Sequence, residues 1–194
     1  MADVRMNFPA TEEAIRELRA GDSVTVDGHI IGIRDRTQIR IFDHGERPPM
    51  DLTGALLLHT APNVRKVGEG RYEKICIGTT TSARMVRFTE PLGREYGVRA
   101  ICGKGGLPDE AIEPMRRLGM VYFAIVGGAA ALETTQIEEI EEVAWEELMP
   151  ECLWKFRVKD FGPLTVAIDS HGASLYHDVQ AEAQKRLEDL FARL

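Results

Sequence analysis

Cysteine is scarce in this chain: Cys76, Cys102 and Cys152 are the only three in 194 residues. The odd count, with no Cys-x-x-Cys pair, argues against a disulfide framework and against a zinc site. Three thiols could in principle touch an iron–sulfur cluster. However, Cys76 and Cys102 sit in apolar, strand-like runs, where a buried inert thiol is the commoner outcome. Long apolar runs are missing too. The longest, Met120 to Val126, gives way to Gly127-Gly128 and alanines, far short of a membrane span. Glu12, Glu13 and Arg16 interrupt the N-terminal stretch, so no signal-peptide pattern shows and a cytoplasmic protein is expected. No basic stripe is visible. The formal net charge is −7, from 24 Lys and Arg against 31 Asp and Glu, which excludes a general nucleic-acid binder. No Gly-x-Gly-x-x-Gly turn follows the first strand. The Gly103-Lys104-Gly105-Gly106 turn lacks both the upstream glycine and the Ser/Thr after lysine that a phosphate loop needs. Internal repeats, low-complexity segments and flexible linkers are likewise absent, and the length suits one domain over residues 1–194.

What is present is a mixed pattern of short strands and helices. Residues 11–19 read as a helix ended by Gly21-Asp22. Ser23–Val26 and His29–Ile33, around Asp27-Gly28, predict a β-hairpin. A helix from residue 36 is broken at Arg47-Pro48-Pro49. Strands are expected over 56–59, 72–77, 98–102, 120–126 and 164–168. Helices are expected from 85 to about 96, over 108–118 and from Ala129. The six glutamates between Glu138 and Glu147 read as a solvated face. Residues 176–194 form an amphipathic helix expected to pack on the domain. Alternating strands and helices in the middle of the chain imply parallel strands with right-handed crossovers. The fold class is α/β with an extra β layer.

Gly78-Thr79-Thr80-Thr81-Ser82-Ala83-Arg84-Met85 is the most informative stretch. Between a strand-like run and a helical pattern, it predicts a hydroxyl-rich turn at a helix N-terminus, which favours an anion. An ordinary helix cap is the plain alternative. Gly78, Gly103 and Gly127-Gly128 each follow a strand and precede a helix. In a parallel sheet such turns share the carboxyl edge, where ligands bind. Arg84 and Lys104 are therefore expected to reach one pocket, joined by Arg34 at another strand end. Three cations around a pocket on an acidic protein suggest a small polycarboxylate or phosphate, against three unrelated surface cations. His59, at a strand end, reads as a structural or supporting group.

An ordered series of motifs then stands out. It comprises Gly28 with Ile33-Arg34-Asp35; His59 with Pro62; Gly78 with Thr80 to Met85; and Gly103-Lys104-Gly105-Gly106. Gly127-Gly128-Ala129-Ala130, Pro150-Glu151 with Leu153-Trp154, Asp160 to Leu164, and Asp169 with His171-Gly172 complete it. Over about 140 residues this series resembles the β subunit, or C-terminal domain, of the iron–sulfur hydro-lyases: class I fumarate hydratase and L(+)-tartrate dehydratase. The resemblance implies a swivelling three-layer β/β/α domain with a partly parallel sheet. It implies half of an enzyme, whose [4Fe–4S] cluster belongs to a partner α subunit, with no metal bound by this chain. It implies that Arg34, Arg84 and Lys104 hold a dicarboxylate, that Thr80 is the general base with Thr81 beside it, and that Asp35, Gln38, His59 and Gly78 support them. Gln38 stands where the family usually has histidine; glutamine can hydrogen-bond but cannot shuttle a proton near neutral pH. The implied reaction is reversible dehydration of a 2-hydroxy dicarboxylate, with L-malate and fumarate favoured over L(+)-tartrate. A non-catalytic carboxylate-binding module is the rival, and a nicotinamide-binding fold ranks last. The implied assembly is a homodimer or a heterotetramer with the α subunit, without nucleic acid or membrane.

Overall fold

A computed structural model describes residues 1–128 and 130–191. Ala129, expected to start one helix, and residues 192–194, expected to end another, lie outside the described residues. Nine strands and six α-helices are described: β1 Asp3–Phe8, α1 Glu12–Arg16, β2 Ser23–Ile33, α2 Asp35–Phe42, β3 Leu56–His59, β4 Asn63–Gly68, β5 Arg71–Cys76, α3 Thr89–Tyr96, β6 Ala100–Gly103, α4 Ile112–Leu118, β7 Val121–Ala124, α5 Ala130–Gln136, β8 Ile137–Ala144, β9 Leu153–Ile168 and α6 Leu175–Phe191. A 3-10 turn, Ala83–Phe88, leads into α3. Among the described residues no helix is long and apolar enough to cross a membrane.

The mixed sheet has seven strands in the order β1-β2-β3-β6-β7-β9-β8. The first five run parallel to one another, and β9 is antiparallel to β7 and β8. β9 also pairs with β2, so β2, β3, β6, β7 and β9 close a circuit of strands. The central strands are apolar throughout because both faces are covered. Leu56, Leu58, Ala100, Cys102, Val121 and Phe123 face one core, which includes Trp154, Phe156 and Phe161. Their alternates Leu57, Ile101 and Tyr122 face a second, closed by Ile41 of α2, Met85 and Phe88 of the 3-10 turn, Leu92 of α3 and Met115 of α4. Thr11 caps α1 through its side chain, and Gly97 and Gly119 end α3 and α4 in the left-handed conformation.

Three expectations need correction. Asp27-Gly28 is not a hairpin turn, and Ser23–Ile33 is one continuous strand with register shifts against β9 on either side of Val26. The sequence signal is that of a bulge. A β-carbon on Gly28, at φ +99°, would run into the Phe8 carbonyl, and the Asp27 carboxylate accepts from the Asp160 backbone N–H at 2.8 Å. The acidic segment is not merely a solvated face, since Ile137–Ala144 pairs along β9 as an end strand. Among the described residues the C-terminal helix packs through its first turn alone, where Tyr176 meets Tyr122 at 6.4 Å between ring centroids. Further along, Val179, Leu187, Leu190 and Phe191 are exposed.

Candidate active site

The carboxyl ends of the parallel strands build the site. Arg34 follows β2, His59 ends β3 and Lys104 follows β6. Beyond the β3–β6 pairing, the segment 79–82 inserts between the two strand ends. Thr79 bridges to Thr60, and Thr81 bridges to Lys104. The Thr80 N–H donates to the His59 carbonyl at 2.7 Å, and Lys104 and Ser82 N–H groups donate to Thr80 and Lys104 carbonyls at 3.2 and 2.9 Å. This corrects the helix-terminus reading. The strand before Gly78 belongs to a separate two-stranded hairpin, β4-β5. The threonines are extended backbone and do not cap a helix; Ser82 precedes the 3-10 turn without a side-chain cap. Gly103 and Gly127 do follow parallel strands, as expected. The Lys104 stem lies against Gly127, where a β-carbon would stand 2.8 Å from Lys104 Cδ.

The cations are linked. Arg84 grips Asp35 in a fork, Nε to Oδ1 at 2.9 Å and Nη2 to Oδ2 at 2.6 Å. Its Nη1 donates to the Thr81 carbonyl at 3.1 Å. Hydrogen bonding to Asp35 raises the Arg84 pKa further above its ordinary value. Arg34 lies 3.5 Å from Asp35 and 3.5 Å from Glu151. A continuous line of contacts therefore runs Arg34–Asp35–Arg84–Thr81–Lys104. Arg34 and Asp35 are partly exposed and Arg84 more so, forming an open edge. Thr80 Oγ1 donates to the His59 carbonyl at 3.1 Å, and the Thr60 hydroxyl donates to the Gly78 carbonyl at 2.7 Å.

Gln38 and His59 lie beneath this edge. Gln38 is fully buried, with Nε2 at 3.0 Å from Met85 Sδ and 3.4 Å from the Arg34 carbonyl. His59 is 1% exposed, and its Nδ1 meets Ser82 Oγ at 2.9 Å. Burial drives its pKa down to about 3, so the ring is neutral. Gln38 Oε1, His59 Nε2 and Arg34 Nε are buried polar atoms without a hydrogen-bond partner. Sequence reasoning missed Glu133 of α5. It is 2% exposed with both carboxyl oxygens unpartnered, and burial raises its pKa to about 7 against lowering contributions from Thr79 and Lys104. It also missed the Tyr122 hydroxyl, which donates to Ser82 Oγ at 3.0 Å. A tyrosine in a strand buried on both faces does signal a hidden polar partner.

The cysteines do not form a cluster site. Cys76 is exposed at the end of β5, contrary to the buried thiol expected, while Cys102 and Cys152 are buried. Burial pushes the Cys102 thiol well up and Cys152 up to about 11, away from the thiolate that binds metal. Among the described residues no group of three or more His, Cys, Asp or Glu could hold a metal ion. The described residues of this chain do not fit an iron–sulfur cluster.

Cations fixed along the carboxyl edge of a parallel sheet suit an anionic ligand. Comparison with known proteins gives this class its family. The family model for the fumarase C-terminus matches residues 1–179. L(+)-tartrate dehydratase subunit beta of Escherichia coli K12 is 39% identical over 171 residues, 88% of this chain and 85% of the relative. A protein of Methanocaldococcus jannaschii provisionally given the same name is 36% identical over 185 residues, 93% of this chain and 94% of the relative. A Geobacillus stearothermophilus protein provisionally named fumarate hydratase class I is 36% identical over 185 residues, 95% of this chain but 35% of its own length. The chain belongs to the family of β subunits and C-terminal domains of iron–sulfur hydro-lyases. It is thereby a component of a carbon–oxygen lyase.

Proposed function

We propose that residues 1–194 act as the β subunit of a two-subunit [4Fe–4S] hydro-lyase that reversibly dehydrates a 2-hydroxy dicarboxylate. The observation that carries this reading is the line of contacts Arg34–Asp35–Arg84–Thr81–Lys104. L-malate/fumarate and L(+)-tartrate fit it equally, since relatives carry both names. We read the architecture as a swivelling three-layer β/β/α domain, supported by a core on each face of the sheet. The open edge suits closure by an α subunit, in a heterotetramer or around a β homodimer, in the cytoplasm.

In this reading Arg34 and Arg84 hold the substrate carboxylates. Asp35 holds Arg84 through charge-assisted hydrogen bonds and Arg34 through an ion pair at 3.5 Å until a carboxylate competes for them. Lys104, fixed by its backbone bonds to the 80–82 segment, faces the hydroxyl-bearing end and stabilises charge that develops as the C–H bond breaks. Thr80 is the proposed general base, with Thr81 beside it. Its hydroxyl donates to the His59 carbonyl at 3.1 Å; to act as the base it would first release that proton to solvent at the open edge, leaving an alkoxide beside the Arg84 and Lys104 cations to take the substrate proton. The cluster, assigned to the α partner, would supply Lewis acidity to the departing hydroxyl. Gln38 is buried below the edge and carries no proton in this scheme.

The test is anaerobic co-expression with an α-type subunit and an ultraviolet assay of fumarate, L-malate, L(+)-tartrate and meso-tartrate. Turnover of one acid that Arg84→Ala and Thr80→Ala abolish is the expected result. A complex with an intact cluster but no turnover would leave the carboxylate-binding module in its place.

A further inference from the structure

Three side chains under the proposed carboxylate edge form a hydrogen-bonded line away from solvent. Tyr122 and Ser82 are fully buried and His59 nearly so. Tyr122 Oη lies 3.0 Å from Ser82 Oγ, and Ser82 Oγ lies 2.9 Å from His59 Nδ1. The fold makes room for this line at Gly103, where a β-carbon would overlap Ser82 Oγ.

The direction of the protons follows from counting donors and acceptors. Suppose first that Nδ1 carries the imidazole proton and donates to Ser82. Ser82 then either donates to Tyr122, which leaves the Tyr122 hydroxyl proton buried without an acceptor, or accepts from Tyr122 as well, which leaves its own proton so. The bare Nε2 is also unpartnered. That arrangement leaves two orphaned groups. Suppose instead that Tyr122 donates to Ser82 and Ser82 donates to Nδ1. Every hydroxyl proton is then used, and the only orphan is the proton on Nε2. Each buried unpaired group costs about 1–3 kcal/mol, so the second arrangement wins. The charges of Asp35 and Arg84 both bear on the ring.

We infer that Tyr122 and Ser82 are positioning residues of this site: they hold His59 in one neutral tautomer, with its proton on Nε2, so that it serves the Arg34–Arg84 edge as a fixed hydrogen-bond donor and not as a proton carrier. The functional half rests on the hydroxy-acid reading above; the tautomer does not.

The experiment has two arms. Long-range proton–nitrogen NMR of the full-length chain, labelled on histidine, reads the His59 tautomer directly. A bare Nδ1 and a protonated Nε2, unchanged between about pH 5 and 8, is the expected spectrum, and Ser82→Ala mixes the two tautomers. A protonated Nδ1, or a doubly protonated ring in that range, overturns the relay whatever the enzyme does. In the α–β complex, His59→Leu raises KM roughly tenfold with a smaller fall in kcat, the size of one lost hydrogen bond. His59→Gln, which keeps an N–H donor, restores most of the loss, and neither variant removes a limb of the pH profile. An unchanged KM in His59→Leu overturns the role at the edge, as does a pH limb that disappears in both variants. A complex inactive on every hydroxy acid refutes the proposed function and the edge role with it, while the spectrum still decides the relay.

Discussion

Gly103→Ala gives the sharpest test of how tightly the site is built. A β-carbon at 103 would overlap Ser82 Oγ and stand 3.3 Å from the Thr80 carbonyl and 3.4 Å from His59 Cβ. Ser82 must move, because the other two neighbours are backbone and the root of a buried ring. Moving it breaks the contacts to His59 and Tyr122, 2.9 and 3.0 Å long. Two hydrogen bonds at about 1 kcal/mol each, plus an overpacking cost of about 1–3 kcal/mol, oppose a gain of about 0.4–1 kcal/mol from stiffening the unfolded chain. The net loss is roughly 2–4 kcal/mol, or about 5–15 °C in Tm for a chain of this length. Urea unfolding followed by circular dichroism measures it. The decisive comparison is the double variant. With Ser82→Ala the colliding oxygen is gone, so Gly103→Ala should cost roughly 1–3 kcal/mol less there than in the parent. Additive effects of the two substitutions would refute the close approach.

Glu133→Gln tests the buried carboxyl. A carboxyl whose folded pKa, about 7, lies above its ordinary 4.5 stabilises the fold fully below the lower value, and that stability is lost as pH rises through the higher one. The parent should lose up to about 3 kcal/mol relative to Glu133→Gln between those limits, and parallel pH–stability curves would contradict this. Asp169 ties down the turn after β9, accepting from the backbone N–H groups of Ala20 at 3.0 Å, His171 at 2.9 Å and Ala173 at 3.0 Å. Asp169→Ala should cost about 2–4 kcal/mol in thermal unfolding, with Asp169→Asn between it and the parent. A shift within error would show that water replaces the carboxylate.

The parts of the fold legible in the sequence are those whose residues face apolar surroundings on both sides. Leu56–His59, the run ending at Cys102 and the run from Met120 read correctly as strands, because continuous apolar runs between glycine turns have few other uses. β1 was not expected. Its alternation in Asp3–Phe8 is short, and its pairing partner lies 20 residues on. The Asp27-Gly28 signal misled because a bulge and a hairpin turn both need a glycine at positive φ; only tertiary pairing with β1 and β9 decides between them. In the site, Arg34 and Lys104 were legible from their place after strands. The 79–82 segment was expected at the right edge for the wrong reason, since the preceding hairpin stands outside the main sheet. Glu133 gave no signal: its neighbour Leu132 is exposed while the glutamate is buried, the reverse of the usual preference.

The sheet ends at β8, where half of the eight residues are glutamates, three of them paired with Arg157 across the strand. An end strand is a ready template for a further strand from another molecule. Here the template is spoiled by like charges that a newcomer would have to bury. Protection from fibril-like growth thus resides in the segment with the least apparent purpose. Exchanging those glutamates for valine or threonine would improve β8 as a strand and turn the sheet's rim into an adhesive seam.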